Sequence, residues 1–223
     1  MAGPASPAAQ DYLKALYQLA AEGAEARDGI TTTAVSQRMD VSAASATNML
    51  KRLEGMGLVD YVPYRGAGLT EAGRKVALEV IRHHRLLETY LAEALGVPWD
   101  AVHKEAEVLE HVISEDLEDR IAALLGDPRT DPHGHPIPAK DGSMPSSSER
   151  RLWEVTDGER AEVERVSDAS AESLRYLAGI GVRPGVTVEV VRRGPDSGPL
   201  FVRVEGDVEQ ALSKELAEDV WVA

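Results

Sequence analysis

Between Asp127 and Glu149 the chain reads DPRTDPHGHPIPAKDGSMPSSSE, a stretch so dense in Pro, Gly and Ser that neither a helix nor a strand is expected to run through it. The residues before it place apolar side chains at helical spacing. Those after it alternate in short runs. A chain of 223 residues with such a break has room for two or three small domains, each burying its own core. The expected division is 1–75, 76–144 and 145–223.

In the first segment, residues 8–22 bring Leu13, Leu16, Tyr17 and Ala20 onto one helical face, and Gly23 to Gly29 reads as a loop. Thr31 is a fitting N-cap for a short helix through Met39. Asp40-Val41-Ser42 makes a tight turn, and Ser42 caps a second helix running to about Glu54 that buries Ala46, Met49, Leu50 and Leu53. Two short helices joined in this way form a helix-turn-helix. Leu58–Pro63 then reads as a strand, Arg65-Gly66-Ala67-Gly68 as a turn, and Leu69 as the start of a return strand, which makes the unit a winged helix. Its second helix begins with small polar residues that can approach base edges, while Lys51, Arg52 and Arg65 can reach phosphates.

The middle segment holds the metal-ligand types. Thr70 caps a helix from Glu71 towards Leu95, Trp99-Asp100 begins another that continues to about Ile113, and Ser114 caps a third through Leu125. His84 and Glu88 are spaced by four on the first. On the second, His103, Glu107, Glu110 and His111 fall within an arc of about 100°. The chain has no cysteine, so any metal is held by nitrogen and oxygen. Charge follows the same division: 8 acidic and 8 basic residues in 1–75, 14 and 6 in 76–144, which holds all 6 histidines, and 16 and 10 in 145–223. The acidity sits with the ligand types, and the comparatively basic end is the winged helix.

Other chemistries compete for this pattern. Helical carboxylates and histidines also build non-haem metal enzymes, but those use paired Glu-x-x-His or His-Glu-x-x-His motifs, which are absent here. A metal-independent winged-helix regulator, its His/Glu face paired with arginines, is the other alternative. Beyond residue 150, Leu152–Thr156, Glu162–Ser167, Val186–Arg192, Leu200–Glu205 and Val220–Val222 read as strands and Ala169–Leu177 as a helix, consistent with a small SH3-like barrel. The fold class expected is mainly α with a small β domain. No apolar run approaches the roughly 20 residues that span a bilayer. MAGPASPAAQ has no signal-peptide pattern either, so a cytoplasmic protein without membrane partners is expected.

His84-Arg85-Leu86-Leu87-Glu88, Val102-His103-Lys104-Glu105-Ala106-Glu107, Glu110-His111-Val112 and Gly134-His135-Pro136-Ile137-Pro138 together resemble the diphtheria toxin repressor family of metal-dependent transcriptional regulators. The resemblance is strong over 7–140 and extends weakly to the end. It implies a homodimer that binds a palindromic double-stranded operator when loaded with Fe(II) or Mn(II), typically repressing metal-uptake genes. It assigns a primary metal site to Asp11, Glu107, Glu110 and His111, and a second to His84, Glu88 and His103. A terminal-domain carboxylate joins the second site, Glu172 first and Asp168 as the alternative.

Glu107 stands where iron-responsive members carry cysteine, and Asp11 where they carry methionine. Both changes favour Mn(II), with Fe(II) the second choice and Zn(II), Co(II) or Cd(II) as surrogates. Lys14 stands where the manganese-responsive branch often has a glutamate, which favours two separate sites over a two-manganese cluster. His83, His133 and His135 are expected as neighbours rather than ligands, and Asp131 occupies a place where some relatives help hold an anion. Base contacts are expected from Ser42, Ala44, Ser45, Thr47 and Asn48, and backbone or wing contacts from Lys51, Arg52, Tyr64 and Arg65.

Overall fold

The computed structural model describes residues 5–223 except positions 24, 27–28, 64, 196–197, 205 and 207. Tyr64, expected in the wing, thus lies outside the described residues. The chain forms two compact units. The first takes in residues up to His83 together with Glu110–Val112 and Pro138–Ser143, and the second His84–Leu109, Ile113–Ile137 and Met144–Ala223.

The first unit runs α1 (Pro7–Ala21), β1 (Glu25–Ala26), β2 (Gly29–Ile30), α2 (Thr32–Arg38), α3 (Ala43–Gly55), β3 (Val59–Val62), β4 (Gly66–Leu69) and the start of α4 (Glu71–Glu93). The sequence marks its helix starts well. The Thr31 hydroxyl accepts from the Ala34 amide at 3.1 Å and that of Ser42 from Ser45 at 3.1 Å. Thr70 accepts from Gly73 at 3.1 Å while donating to the Gly57 carbonyl at 2.8 Å. Leu13, Leu16, Val35, Ala46, Leu50, Leu53 and Val59 are buried together as the core.

Two details differ from expectation. The loop after α1 contains β1 and β2, which join β3 and β4 in a four-stranded sheet of order β1-β2-β4-β3. The wing also turns earlier, because Gly66, Ala67 and Gly68 belong to β4 instead of a turn. Gly66 has φ of 142°, and a Cβ there would lie 2.8 Å from backbone atoms of Gly29 and Ile30, so a bare glycine lets β4 close onto β2. Gly73 is tighter still, with a Cβ placed 1.9 Å from the Leu58 carbonyl oxygen. Gly73→Ala is expected to lower stability by about 1–3 kcal/mol through overpacking. Thermal or urea unfolding checks this, and an unchanged midpoint would contradict it.

The second unit contains the remainder of α4, α5 (Val102–Leu109) and α6 (Glu115–Leu124), with Leu86, Leu87, Ala106, Ile121, Ala122 and Ile137 as a small core. Here α5 stops at Leu109, so Glu110 and His111 stand in the turn that follows and not on a shared helix face with His103. The next helix explains the stop. Ser114 must be extended (φ −89°, ψ 155°) for its hydroxyl to cap the Leu117 amide, so the chain leaves helical geometry beforehand.

The terminal part of this unit is a five-stranded antiparallel sheet of order β8-β7-β6-β5-β9: β5 (Arg160–Val166), β6 (Thr187–Arg193), β7 (Leu200–Val204), β8 (Glu209–Leu212) and β9 (Val220–Val222). Helices α7 (Ala171–Gly179) and α8 (Lys214–Glu218) accompany it. Leu152–Glu154, read as part of a strand, is a 3-10 turn closed by the Glu154 carboxylate, which accepts the Arg151 amide at 2.8 Å. The short edge strand β8 escapes sequence reading because only Leu212 of its four residues is buried. Part of the expected tether is ordered. Asp131 accepts the amides of His133 (2.8 Å) and His135 (3.0 Å), and Gly134 sits so close to β5 that a Cβ would fall 2.0 Å from the Glu164 carbonyl oxygen.

Candidate metal centres

Among the groups of ligand-type side chains in the described residues, two gather most of the expected ligands, one in each unit. In the first, α1 presents Asp11, and the turn after α5 presents Glu110 and His111; one ligand atom from each lies within 4.8 Å of the others. His111 Nε2 is 2.8 Å from Asp11 Oδ1 and 3.6 Å from Glu110 Oε1. The opposite ring nitrogen, Nδ1, donates to the Gln10 side-chain oxygen at 2.7 Å. That bond aims Nε2 at the carboxylates, the usual way an imidazole is oriented for a cation. Gln10 was not among the residues expected here. A glutamine beside Asp11 carries no signal until the fold brings His111 to it. His83, expected as a neighbour, is buried and donates from Nδ1 to the Glu110 backbone carbonyl at 3.2 Å. Gln10→Leu is expected to weaken cation binding at His111 by about 10–100-fold. Equilibrium dialysis with Mn(II) measures this, and unchanged affinity would remove Gln10 from the site.

The second cluster joins α4, α5 and the loop before α7: His84, Glu88, His103 and Asp168. Glu88 is fully buried. Its Oε1 lies 3.0 Å from His84 Nε2 and 3.2 Å from His103 Nδ1, and Asp168 Oδ2 is 3.3 Å from the same His103 nitrogen. Asp168, rather than Glu172, is therefore the terminal-domain carboxylate brought to this cluster. Glu172 is exposed in the first turn of α7, beyond the Ser170 cap. Glu107, which the resemblance groups with Asp11, here has Oε1 3.8 Å from His84 Nδ1 and 3.7 Å from His103 Nε2.

His133, expected as a neighbour, stands beside the second cluster. It is fully buried, donates from Nε2 to the Trp99 carbonyl at 2.8 Å, and turns Nδ1 towards Glu88 Oε2, 3.9 Å away. Among the described residues neither His133 Nδ1 nor Glu88 Oε2 has a hydrogen-bond partner, and Asp131 Oδ2 also lacks one, with His135 Nδ1 3.3 Å away as an ion-pair contact. Buried polar atoms are seldom left this way. A donor set of imidazole nitrogens and carboxylate oxygens with orphaned buried members fits a divalent cation. The one clue in the sequence was the alternation Asp131, His133, His135, which also qualifies as a ligand-type group.

The hydrogen bond to Asp168, followed by that to Glu88, pushes His103 up to about 10. Burial pulls the His133 imidazole down, but Glu88, Asp131 and Asp168 outweigh it and raise it to about 9. Burial likewise pushes Glu88 up, yet His84, His103 and His133 hold it well below the carboxylate range. Asp168 is lowered too, against its burial, by His103 and His135.

On α3, Ser42, Ala44, Ser45, Asn48, Lys51 and Arg52 are exposed, as is Arg65 in the wing, while Thr47 is half-buried. Three hydroxyls are already engaged: that of Ser42 caps the helix and donates to Ser45 Oγ at 3.0 Å, and Thr47 donates to the Ala43 carbonyl at 2.8 Å.

A winged helix carrying one side chain of a ligand-type cluster, in a chain with a second His/carboxylate cluster, points to the class of metal-responsive DNA-binding proteins. Comparison with known proteins agrees. Residues 5–67 match the iron dependent repressor N-terminal DNA binding domain, 70–139 the iron dependent repressor metal binding and dimerisation domain, and 150–223 the FeoA domain. The iron-dependent repressor IdeR of Mycobacterium leprae (strain TN) is 32% identical over 95% of this chain and 94% of its own. A solved manganese-dependent transcriptional repressor in complex with manganese is 40% identical with a TM-score of 0.86, covering 96% of this chain and 98% of the other. ScaR with bound Cd2+ is 32% identical with a TM-score of 0.81 and the same coverage. The chain belongs to the iron-dependent repressor family, which includes the diphtheria toxin repressors and consists of metal-dependent DNA-binding regulators, not enzymes. No helix among the described residues is long and apolar enough to cross a membrane.

Proposed function

We propose that this protein is a repressor of metal-uptake genes, activated for operator binding by Mn(II), with Fe(II) the second choice. The carrying observation is that Asp11, on the first helix of the winged-helix unit, meets Glu110 and His111 from far along the chain. Asp11, Glu110 and His111 would hold the activating ion, and His84, Glu88, His103 and Asp168, supplemented by His133, would hold another. A divalent ion at the first cluster would be the largest local charge and would draw both carboxylates and the imidazole onto itself. An ion there would tie Asp11, and with it α1, to the turn that carries Glu110 and His111, in addition to the Lys14–Glu110 ion pair that already links them. Donor chemistry supports the metal preference: carboxylate oxygens and imidazoles without sulfur suit Mn(II) better than later transition metals.

On DNA, α3 enters the major groove. Asn48 pairs with adenine, the Ala44 methyl meets a thymine methyl, Ser42, Ser45 and Thr47 line the same edge, and Lys51, Arg52, Arg65 and Tyr64 take the backbone. The protein acts as a homodimer on a palindrome whose half-sites lie about 34 Å apart. Val108 on α5 and Leu117 and Leu124 on α6 are large apolar side chains left exposed in the single chain, and a second copy is their proposed cover.

The test starts by selecting duplexes from a random pool in Mn(II), then measuring their affinity with Mn(II), with chelator, and with Mn(II) restored. Binding should collapse with chelator, return with Mn(II), and fall steeply with added salt. Affinity indifferent to chelation overturns the reading. Because the coupling is reciprocal, the selected duplex should tighten Mn(II) binding by the same factor.

A further inference from the structure

Lys14 stands against the first cluster. It is a buried lysine on α1, one helical turn beyond Asp11, and its Nζ lies 3.0 Å from Glu110 Oε1 and 2.8 Å from Oε2. The two side chains are 8% and 0% exposed, so this is an interior ion pair and not a surface contact. Glu110 is also the most deeply buried ligand candidate of the cluster. A cation is therefore already resident at the carboxylate that the proposed function gives to Mn(II).

From this geometry we infer that Lys14 is a built-in monovalent cation that sets both the stoichiometry and the affinity of the first centre. Asp11 and Glu110 contribute two negative charges. With Lys14 counted the cluster carries one, which a single divalent ion already overcompensates. A second divalent ion would face the ammonium and the first ion together. Each carboxylate oxygen has two lone pairs, so Glu110 can keep Lys14 on one oxygen and offer the other to a single ion. The ammonium also holds Glu110 in place when no metal is bound, so the empty site is preformed and its ion meets a partly neutralised ligand. Lys14 is thus a positioning and specificity residue acting through Glu110. The inference rests on the proposed assignment of a metal to Asp11, Glu110 and His111.

The test uses the full-length chain and Mn(II) alone, in a His103→Ala background that disables the second cluster. Lys14→Met should bind one Mn(II) about tenfold or more tighter, since removing a like charge from beside the ion is worth at least one decade. Its metal-free form should melt lower, and its gain in melting temperature on adding Mn(II) should exceed that of the parent. Lys14→Arg, which keeps the charge, should retain parental affinity. Lys14→Glu should take up a second Mn(II), visible as doubled stoichiometry in equilibrium dialysis and as loss of the isolated six-line Mn(II) spin signal through coupling of neighbouring ions. Unchanged or weaker Mn(II) binding by a folded Lys14→Met, or one ion per chain in Lys14→Glu, overturns the inference. If Lys14→Met does not fold, Lys14→Arg and Lys14→Glu decide it by the same criteria. A His111→Ala arm isolates the premise: if that change leaves Mn(II) binding intact, the metal assignment fails on its own, independently of Lys14.

Discussion

Glu110→Ala is expected to abolish the Mn(II) response of DNA binding and also to destabilise the metal-free protein by about 3–5 kcal/mol, because it removes the anion that pairs with the buried Lys14 ammonium. Against a typical total stability of about 5–15 kcal/mol, that loss is large enough to mimic a functional defect through unfolding. A second variant separates the two effects. Glu110→Met combined with Lys14→Met replaces the buried pair by apolar side chains of similar length, a change that is often neutral or stabilising. The double variant should recover most of the melting temperature lost by the single one. Its operator affinity should stay at the chelated level whatever the Mn(II) concentration, because Asp11 and His111 alone do not make a centre. Circular dichroism against temperature and fluorescence anisotropy on the selected duplex give the two readouts. A double variant that is stable and still Mn(II)-responsive would remove Glu110 from the switch.

The legible part of this chain is local. Thr31, Ser42, Thr70 and Ser114 mark helix starts by side-chain chemistry that needs no tertiary partner, and each is a cap in the structure. The spacing of His84 and Glu88 likewise survives into the second cluster. The distant approaches of Asp11 to Glu110 and His111, and of His103 to His84 and Glu88, were expected only through the family resemblance, and what failed is the finer placement within them. An uninterrupted helix to Ile113 put His103 and His111 on one face, but the demand of Ser114 for an extended backbone ends α5 at Leu109. Glu172 against Asp168 was a matter of which residue precedes the Ser170 cap, settled by how the loop before α7 reaches His103. Gln10 and His133 could not be ranked from sequence, because their roles lie in which ring nitrogen is engaged: Gln10 takes His111 Nδ1, and Trp99 takes His133 Nε2. The wing turn moved for a similar reason, since Gly66 matters through its closeness to Gly29 and not through any turn of its own.

The second centre should bind Mn(II) with a steep dependence on pH. With His103 raised to about 10 and His133 to about 9, both rings carry protons at pH 7 in the metal-free protein, and both must lose one to become ligands. The sign follows from proton number. The metal-free state holds more protons than the loaded state, so the apparent association constant rises with pH, by up to ~100-fold per unit if both protons leave. The rise slackens to one decade per unit above about 9 and ends near 10, where His103 is neutral without metal. The same imidazolium groups stabilise the metal-free fold below the ordinary histidine range, and that contribution fades as pH climbs through 9 to 10. Mn(II) should therefore protect the protein most at the alkaline end, where Glu88 and Asp168 have lost their protonated partners. Titration calorimetry in two buffers of different ionisation enthalpy, in an Asp11→Ala background that silences the first centre, counts the protons released. Asp168→Asn removes the strongest support for His103 protonation together with a ligand, and should lower both the proton count and the affinity. Zero proton release at pH 7, with Mn(II) bound, would show that His103 and His133 are not among the ligands.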